Sequence, residues 1–134
     1  MSNNYERIAA RGRWGTVEWA VDSQGKLPAH EVYMSLSEED RAKVSVLFQR
    51  LADFGQIRDQ QKFKRLGEKA GKKGRGLWEF KRFQVRFFGD FSPGRRFIVA
   101  HGLDGKKKDD LPKQAIEKAI RILEEHNKQE RGIK

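Results

Sequence analysis

Apolar and polar positions change rhythm several times along this chain, and each rhythm predicts an element. Thr16-Val17-Glu18-Trp19-Ala20-Val21 alternates and is rich in strand formers, so it predicts a first strand, closed by the turn chemistry of Asp22-Ser23-Gln24-Gly25. A loop containing Pro28 follows, and the apolar patch from Val32 to Leu36 fits a turn or short helix. Ser37-Glu38-Glu39-Asp40 then sets a capping serine three residues before an acid, which is close to a capping box and predicts a helix start. Val44, Leu47, Phe48, Leu51 and Phe54 recur at three- and four-residue spacings, with Arg41, Lys43, Gln49 and Arg50 turned away and Gly55 placed as the stop. Trp78 to Phe91 predicts a hairpin, and after the turn at Pro93-Gly94 the run Phe97-Ile98-Val99-Ala100 predicts a buried central strand. Asp109 and Asp110 predict the cap of a final helix, with Pro112 in its first turn and Ala115, Ile116, Ala119, Ile120 and Leu123 on its buried face.

Strand, helix, three strands, helix is the order of an α+β domain, here a curved, largely antiparallel sheet of about four strands packed with two or three helices. Residues 1–15 carry no sustained periodicity and read as an N-terminal arm or tail, residues 16–129 as a single domain, and residues 130–134 as a frayed end. A length of 134 residues suits one core.

Charge changes the picture more than composition does. The formal net charge is +10, from 29 Lys+Arg against 19 Asp+Glu, which predicts attraction to polyanions and binding that weakens with salt. Between Arg58 and Arg82 ten basic residues face three acidic ones, so most of the excess sits in one stretch, whose Gly67, Gly71, Gly74 and Gly76 suggest a flexible basic loop feeding the hairpin. The absence of cysteine removes disulfides, thiol nucleophiles and cysteine-based zinc sites. No apolar run approaches the roughly 18 residues of a membrane span, and the start lacks a signal-peptide core, so a cytoplasmic protein with no membrane partner is expected.

The candidate chemistry lies between Gly76 and Lys108, where aromatic strands are threaded with arginines and end in Lys106-Lys107-Lys108. Lys81 and Arg86 fall on neighbouring predicted strands, and Arg95 and Arg96 open the next, a set able to surround one phosphodiester. Preorganised cations there stabilise the charge that grows on the phosphate oxygens when a 2′-hydroxyl attacks, and such a reaction needs no metal. A positive face that binds RNA or acidic protein without chemistry uses the same residues. Arg86 interrupts an otherwise aromatic and apolar strand, so it must have a partner: a phosphate, or a cross-strand Glu79. His101, at the predicted end of the last strand, is a candidate base or acid or an ordinary strand-end histidine, whereas His30 and His126 stand alone. Phe83 and Phe91, near turns, are the rings expected to be exposed for base stacking. Asp104, Asp109 and Asp110 match no metal spacing, and the glycines form no phosphate-binding loop of Walker type, so no metal and no cofactor is expected.

The order of short motifs between about Trp19 and Leu123 resembles the RelE/HigB superfamily of bacterial toxins, nearest to its phage-derived HigB-like branch. Its carriers are Trp19, Gly25-Lys26-Leu27-Pro28, Leu51-Ala52-Asp53-Phe54-Gly55, Leu77-Trp78-Glu79-Phe80-Lys81, Val85-Arg86-Phe87-Phe88, Ile98-Val99-Ala100-His101-Gly102, Lys106-Lys107 and Pro112. The resemblance implies a RelE-like fold and a ribosome-associated endoribonuclease that cuts messenger RNA with basic residues. It also implies silencing by a cognate antitoxin, often a helix-turn-helix protein. Carried over by position, Arg86 matches the family's third-strand arginine, Lys106 and Lys107 its lysine pair after the last strand, and Lys62, Lys64 and Arg65 the basic segment before the hairpin. With the basic surface read from the residues themselves, Arg86, His101 and Lys107 are the catalytic candidates, and Lys62, Lys64, Arg65, Lys81, Arg82, Arg96, Lys106 and Lys108 the RNA-binding candidates. The chain departs from the RelE branch in lacking a C-terminal tyrosine, since Tyr5 and Tyr33 are its only tyrosines, and His101 is the candidate substitute. It departs from the HigB-like branch that it resembles where Lys108-Asp109-Asp110 follows the lysine pair in place of a threonine.

Two further readings stand beside this one. A non-catalytic RNA- or ribosome-binding module of the same fold predicts salt-dependent binding that leaves RNA intact. An interaction protein predicts that the basic face docks on an acidic partner.

Overall fold

The structure is a computed structural model that describes residues 7–67, 71, 76–105 and 113–132. Several expectations fall outside those residues: the lysines Lys106, Lys107 and Lys108, the helix start at Asp109, Asp110 and Pro112, and the loop cations Lys69, Lys72, Lys73 and Arg75.

The elements run β1 (Ile8–Arg11), β2 (Thr16–Trp19), α1 (Pro28–Ser35), α2 (Glu38–Phe54), β3 (Phe63–Arg65), β4 (Trp78–Arg82), β5 (Val85–Ser92), β6 (Arg96–Asp104) and α3 (Lys113–Gly132). They build an α+β fold around one six-stranded open sheet in the order β1-β2-β6-β5-β4-β3. The sheet is mixed, because β2 runs parallel to β6 while the other neighbours are antiparallel. About four strands were expected, and the two additional ones are the edges. β1 lies in the segment read as a tail, where Ile8-Ala9-Ala10-Arg11 has no alternation to announce a strand, yet it pairs with β2. β3 spans three residues inside the basic stretch read as a loop, and it is held by pairing with β4.

Local chemistry sets α2 as its sequence predicts. The Ser37 side chain accepts the Asp40 N–H at 3.1 Å, three acids complement the first turn, and Gly55 adopts φ 70 while its N–H closes on Leu51 O at 2.7 Å. The buried stripe is Val44, Leu47, Phe48, Leu51 and Ala52, whereas Phe54 is 64% exposed at the end of the helix.

Helices cover both faces of the sheet. Below α1 and α2 lies an aromatic core in which Trp19, Phe48, Phe80, Phe87 and Phe97 meet mostly edge to face, with Phe48 and Phe80 centroids 4.9 Å apart. Fully burying each such ring contributes about 1.5–3 kcal/mol. Below α3, Phe88, Ile98, Ala100 and Leu77 pack on Ala115, Ile116, Ala119 and Ile122. The face of α3 is rotated from the expected one, since Ile122 and His126 are fully buried while Ile120 and Leu123 are half-buried.

The last turns of α3 stay helical to Gly132, into the segment 130–134 that was expected to fray, because they are tied down beside the sheet. His126 Nδ1 accepts the Val21 N–H at 3.0 Å, the Gln129 amide donates to Asp22 O, and Glu130 meets Arg96.

Candidate nucleic-acid interface

Sheet register decides which predicted site residues share a face, because directly opposed residues project to the same side. One row crosses the sheet as Lys64 on β3, Glu79 on β4, Phe88 on β5 and His101 on β6. The next row runs Lys81, Arg86, Leu103. Phe88 and Leu103 pack with α3, so both rows belong to the α3 face. Lys64, Lys81, Arg86 and His101 are thereby gathered at one end of one face.

β5 is a central strand covered on both sides, which explains why Arg86 is only 6% exposed. Its Nη1 lies 3.7 Å from Oε2 of Glu79, itself 1% exposed, so the cross-strand pair foreseen as one alternative for Arg86 is present. At that separation it is an ion pair longer than a tight hydrogen bond. Lys64 and Lys81 are half-buried, and among the described residues neither forms a salt bridge.

His101 is half-buried, and its Nδ1 is shielded from solvent without a hydrogen-bond partner among the described residues. Burial, reinforced by Lys118 and Arg121 of α3, holds its pKa down to about 4. At neutral pH the imidazole is therefore uncharged and able to accept a proton. Lys118 and Arg121 were not recognised in the sequence as part of this site. Three residues apart on a helix they share a side, but only the packing of α3 brings that side to His101.

Beside this cluster an open groove of about 550 Å³ is lined by Gln60, Gln61, Lys62, Lys64, Lys81, Arg82 and Phe83. The Lys81 N–H donates to Lys62 O at 2.8 Å, fixing the loop against β4, and Lys62 also reaches Asp59 at 4.0 Å. Phe83 at the hairpin tip is 66% exposed, as expected, while Phe91 is half-buried between Trp14, Trp78 and Phe97.

Two candidates lie elsewhere. Arg65 alternates to the opposite side, in the row of Trp78 and Gly89. Arg96 stands at the far end of β6, where Nε and Nη2 donate to Glu18 at 3.0 Å each and Nη1 donates to Glu130 at 3.3 Å. Its hydrogen bonds to those carboxylates hold its pKa above the ordinary arginine value. Arg96 clamps β2 to α3, away from the cluster of Lys64, Lys81, Arg86 and His101. Among the described residues, no group of three or more His, Cys, Asp or Glu side chains is placed to hold a metal ion, and no helix is long and apolar enough to cross a membrane.

No curated protein matches the chain. A family profile, that of the phage-derived protein Gp49-like family, matches residues 31–124, a span that contains Lys64, Lys81, Arg86 and His101. The family is associated with RelE/HigB-like toxin–antitoxin proteins. With the profile covering the greater part of its length, the chain belongs to the phage-derived Gp49-like family.

Proposed function

We propose that this chain is the toxin of a toxin–antitoxin module, a cytoplasmic, metal-independent endoribonuclease of the HigB-like branch with a RelE-like fold. Its substrate is messenger RNA on the ribosome, and its antitoxin is a helix-turn-helix protein. The observation that carries this reading is the convergence of Lys64, Lys81, Arg86 and an uncharged His101 on one end of one sheet face.

In the reaction, the ribose 2′-oxygen attacks phosphorus as His101 takes its proton. The bond from phosphorus to the 5′-oxygen breaks, leaving a cyclic 2′,3′-phosphate and a 5′-hydroxyl once the departing oxygen is protonated. Arg86 and Lys107 stabilise the charge on the phosphorane oxygens, and Lys81 and Lys106 hold the backbone, with Lys62, Lys64, Arg82 and Lys108 extending the grip. Glu79 fixes the guanidinium of Arg86 before substrate arrives, as preorganisation requires.

Induced expression of the parent and of Arg86→Ala in a bacterial host, with transcript 5′ ends mapped, tests the reading. Growth arrest and new 5′ ends with the parent alone are expected, and undiminished arrest by the variant would remove Arg86 from the mechanism. One observation favours a second reading: burial of Arg86 beside Glu79 is equally what a structural arginine in a non-cutting RNA- or ribosome-binding module would display. Soluble parent protein with intact transcripts and normal growth would select it.

A further inference from the structure

The β4–β5 hairpin closes through Phe83 and Gln84, and Phe83 adopts φ 56. That left-handed conformation suits glycine or asparagine and strains a bulky side chain. The strain is not offset by burial, because the ring is 66% exposed. Instead the ring is set among cations, with the Arg82 guanidinium 4.3 Å and the Lys43 ammonium 5.2 Å from its centroid. Fold stability alone would place asparagine here, so the ring calls for another explanation.

The groove beside it supplies one. Its lining joins three lysines, an arginine, two glutamine amides and this single aromatic side chain, in about 550 Å³. A nucleotide needs a cation for its phosphate, a flat apolar surface for its base, and paired donors and acceptors for the base edge, and the groove offers each. Its volume falls in the range of sites that hold molecules of that size. A purely electrostatic docking face for an acidic protein would use the lysines and leave the ring without a role.

We infer that the groove between β3 and the hairpin tip is a subsite for one unpaired nucleotide of single-stranded RNA, its phosphate on Lys62, Lys64 and Lys81 and its base stacked on Phe83. Lys81 also opposes Arg86, so the subsite is continuous with the proposed cleavage centre and takes a nucleotide flanking the scissile bond. The inference rests on RNA being the ligand and not on cleavage.

The test uses the full chain and a single-stranded oligoribonucleotide with 2′-O-methyl riboses, which lacks the attacking hydroxyl, carrying a fluorescent purine analogue. Phe83→Asn removes the ring while suiting the left-handed turn, so its melting temperature should equal or exceed that of the parent. It is expected to weaken single-strand binding about fivefold to a hundredfold and to abolish quenching of the analogue, with duplex affinity unchanged. Phe83→Trp should restore both, and Lys64→Ala should lower the salt slope of binding by about one contact. Binding by Phe83→Asn equal to that of the parent would overturn the subsite while leaving RNA binding in place, the result expected if the ring instead meets a protein. Phe83-dependent binding by a chain that leaves ordinary RNA intact would support the subsite and refute cleavage. Failure of the parent to bind RNA at low salt would remove both.

Discussion

Arg86 has two assignments, to the fold and to the reaction, and a cycle of substitutions with Glu79 separates them. The pair is almost wholly buried, at 6% and 1% exposure, with 3.7 Å between Nη1 and Oε2. Removing one partner of a buried ion pair costs about 3–5 kcal/mol, and the long separation here argues for the lower figure. Arg86→Met should therefore lose about 3 kcal/mol, which for a domain of this size lowers the melting temperature by about 10 °C. Glu79→Leu combined with Arg86→Met removes both charges and fills the space with apolar groups, and should return to within about 1 kcal/mol of the parent. The coupling energy is then about 2 kcal/mol or more. Cleavage should not return with stability, since loss of one preorganised donor costs about a hundredfold to a thousandfold in rate however well the chain folds. Thermal unfolding followed by circular dichroism, with cleavage of an end-labelled transcript by the same samples, reads both quantities. A double variant that melts and cleaves like the parent would refute a chemical role for Arg86. An Arg86→Met variant that melts with the parent would refute the energetic argument.

Three other outcomes follow from the same structure. His101 must be unprotonated to act as a base and its pKa is held down to about 4, so kcat/KM should rise with pH through about 4 and stay level from 5 to 8. An inflection near the ordinary histidine value of about 6.5 would show that the titrating base is a different or a more exposed group. His126 is fully buried and burial lowers its pKa, with Glu130 opposing and Arg96 adding to the shift, so the unfolded chain binds the extra proton below about 6.5. Stability in urea should be fully developed above that pH and decline as pH falls towards the lowered folded value, by at most about 1.4 kcal/mol per pH unit per histidine, and His126→Gln should flatten the decline. Gly89 sits at the irregularity between β5 and β6, where a Cβ would lie 2.1 Å from Ile98 O and 2.7 Å from the Phe97 ring. Gly89→Ala should cost about 3 kcal/mol because a backbone carbonyl cannot step aside, and a melting temperature unchanged from the parent would contradict that close approach.

What could be read from the chain alone follows the distinction between local and non-local interactions. α2 was legible from Ser37 to Gly55 because caps and apolar spacing act within a few residues, and the hairpin and β6 were legible from their own runs of strand formers. β1 and β3 were not, because four and three residues without alternation become strands only through the partner they meet. The parallel joining of β2 to β6 is likewise a contact between distant segments. At the site, Arg86 and His101 stood out as polar residues in apolar strands, and the alternative of a Glu79 partner was visible from hairpin spacing. The contribution of Lys118 and Arg121 required the docking of α3. The separation of Arg96 from the cluster was not legible, because a run of basic residues gives no indication of which end of a strand each will occupy, and the two acids that engage it lie 78 and 34 residues away.

The two ends of the α3 face carry opposite electrostatic logic, and the contrast gives the net charge a direction. At the start of β6, Arg96 is bracketed by Glu18 and Glu130, and burial and these partners together lock the end of α3 to the sheet. Farther along that face, Asp90 and Glu124 line a cleft with no basic residue in its wall among the described residues. At the other end, Lys64 and Lys81 share the face with Arg86 and His101, Lys118 and Arg121 of α3 act on His101, and Glu79 is the interior acid. A polyanion approaching such a molecule is drawn to the end whose cations are less compensated by acids, so the field orients it before any contact forms. Orientation of this kind is salt-sensitive while the ties around Arg96 are not, because they are partly buried and of short range. If RNA is the ligand, as proposed, raising salt should therefore strip it from the chain well before it loosens α3.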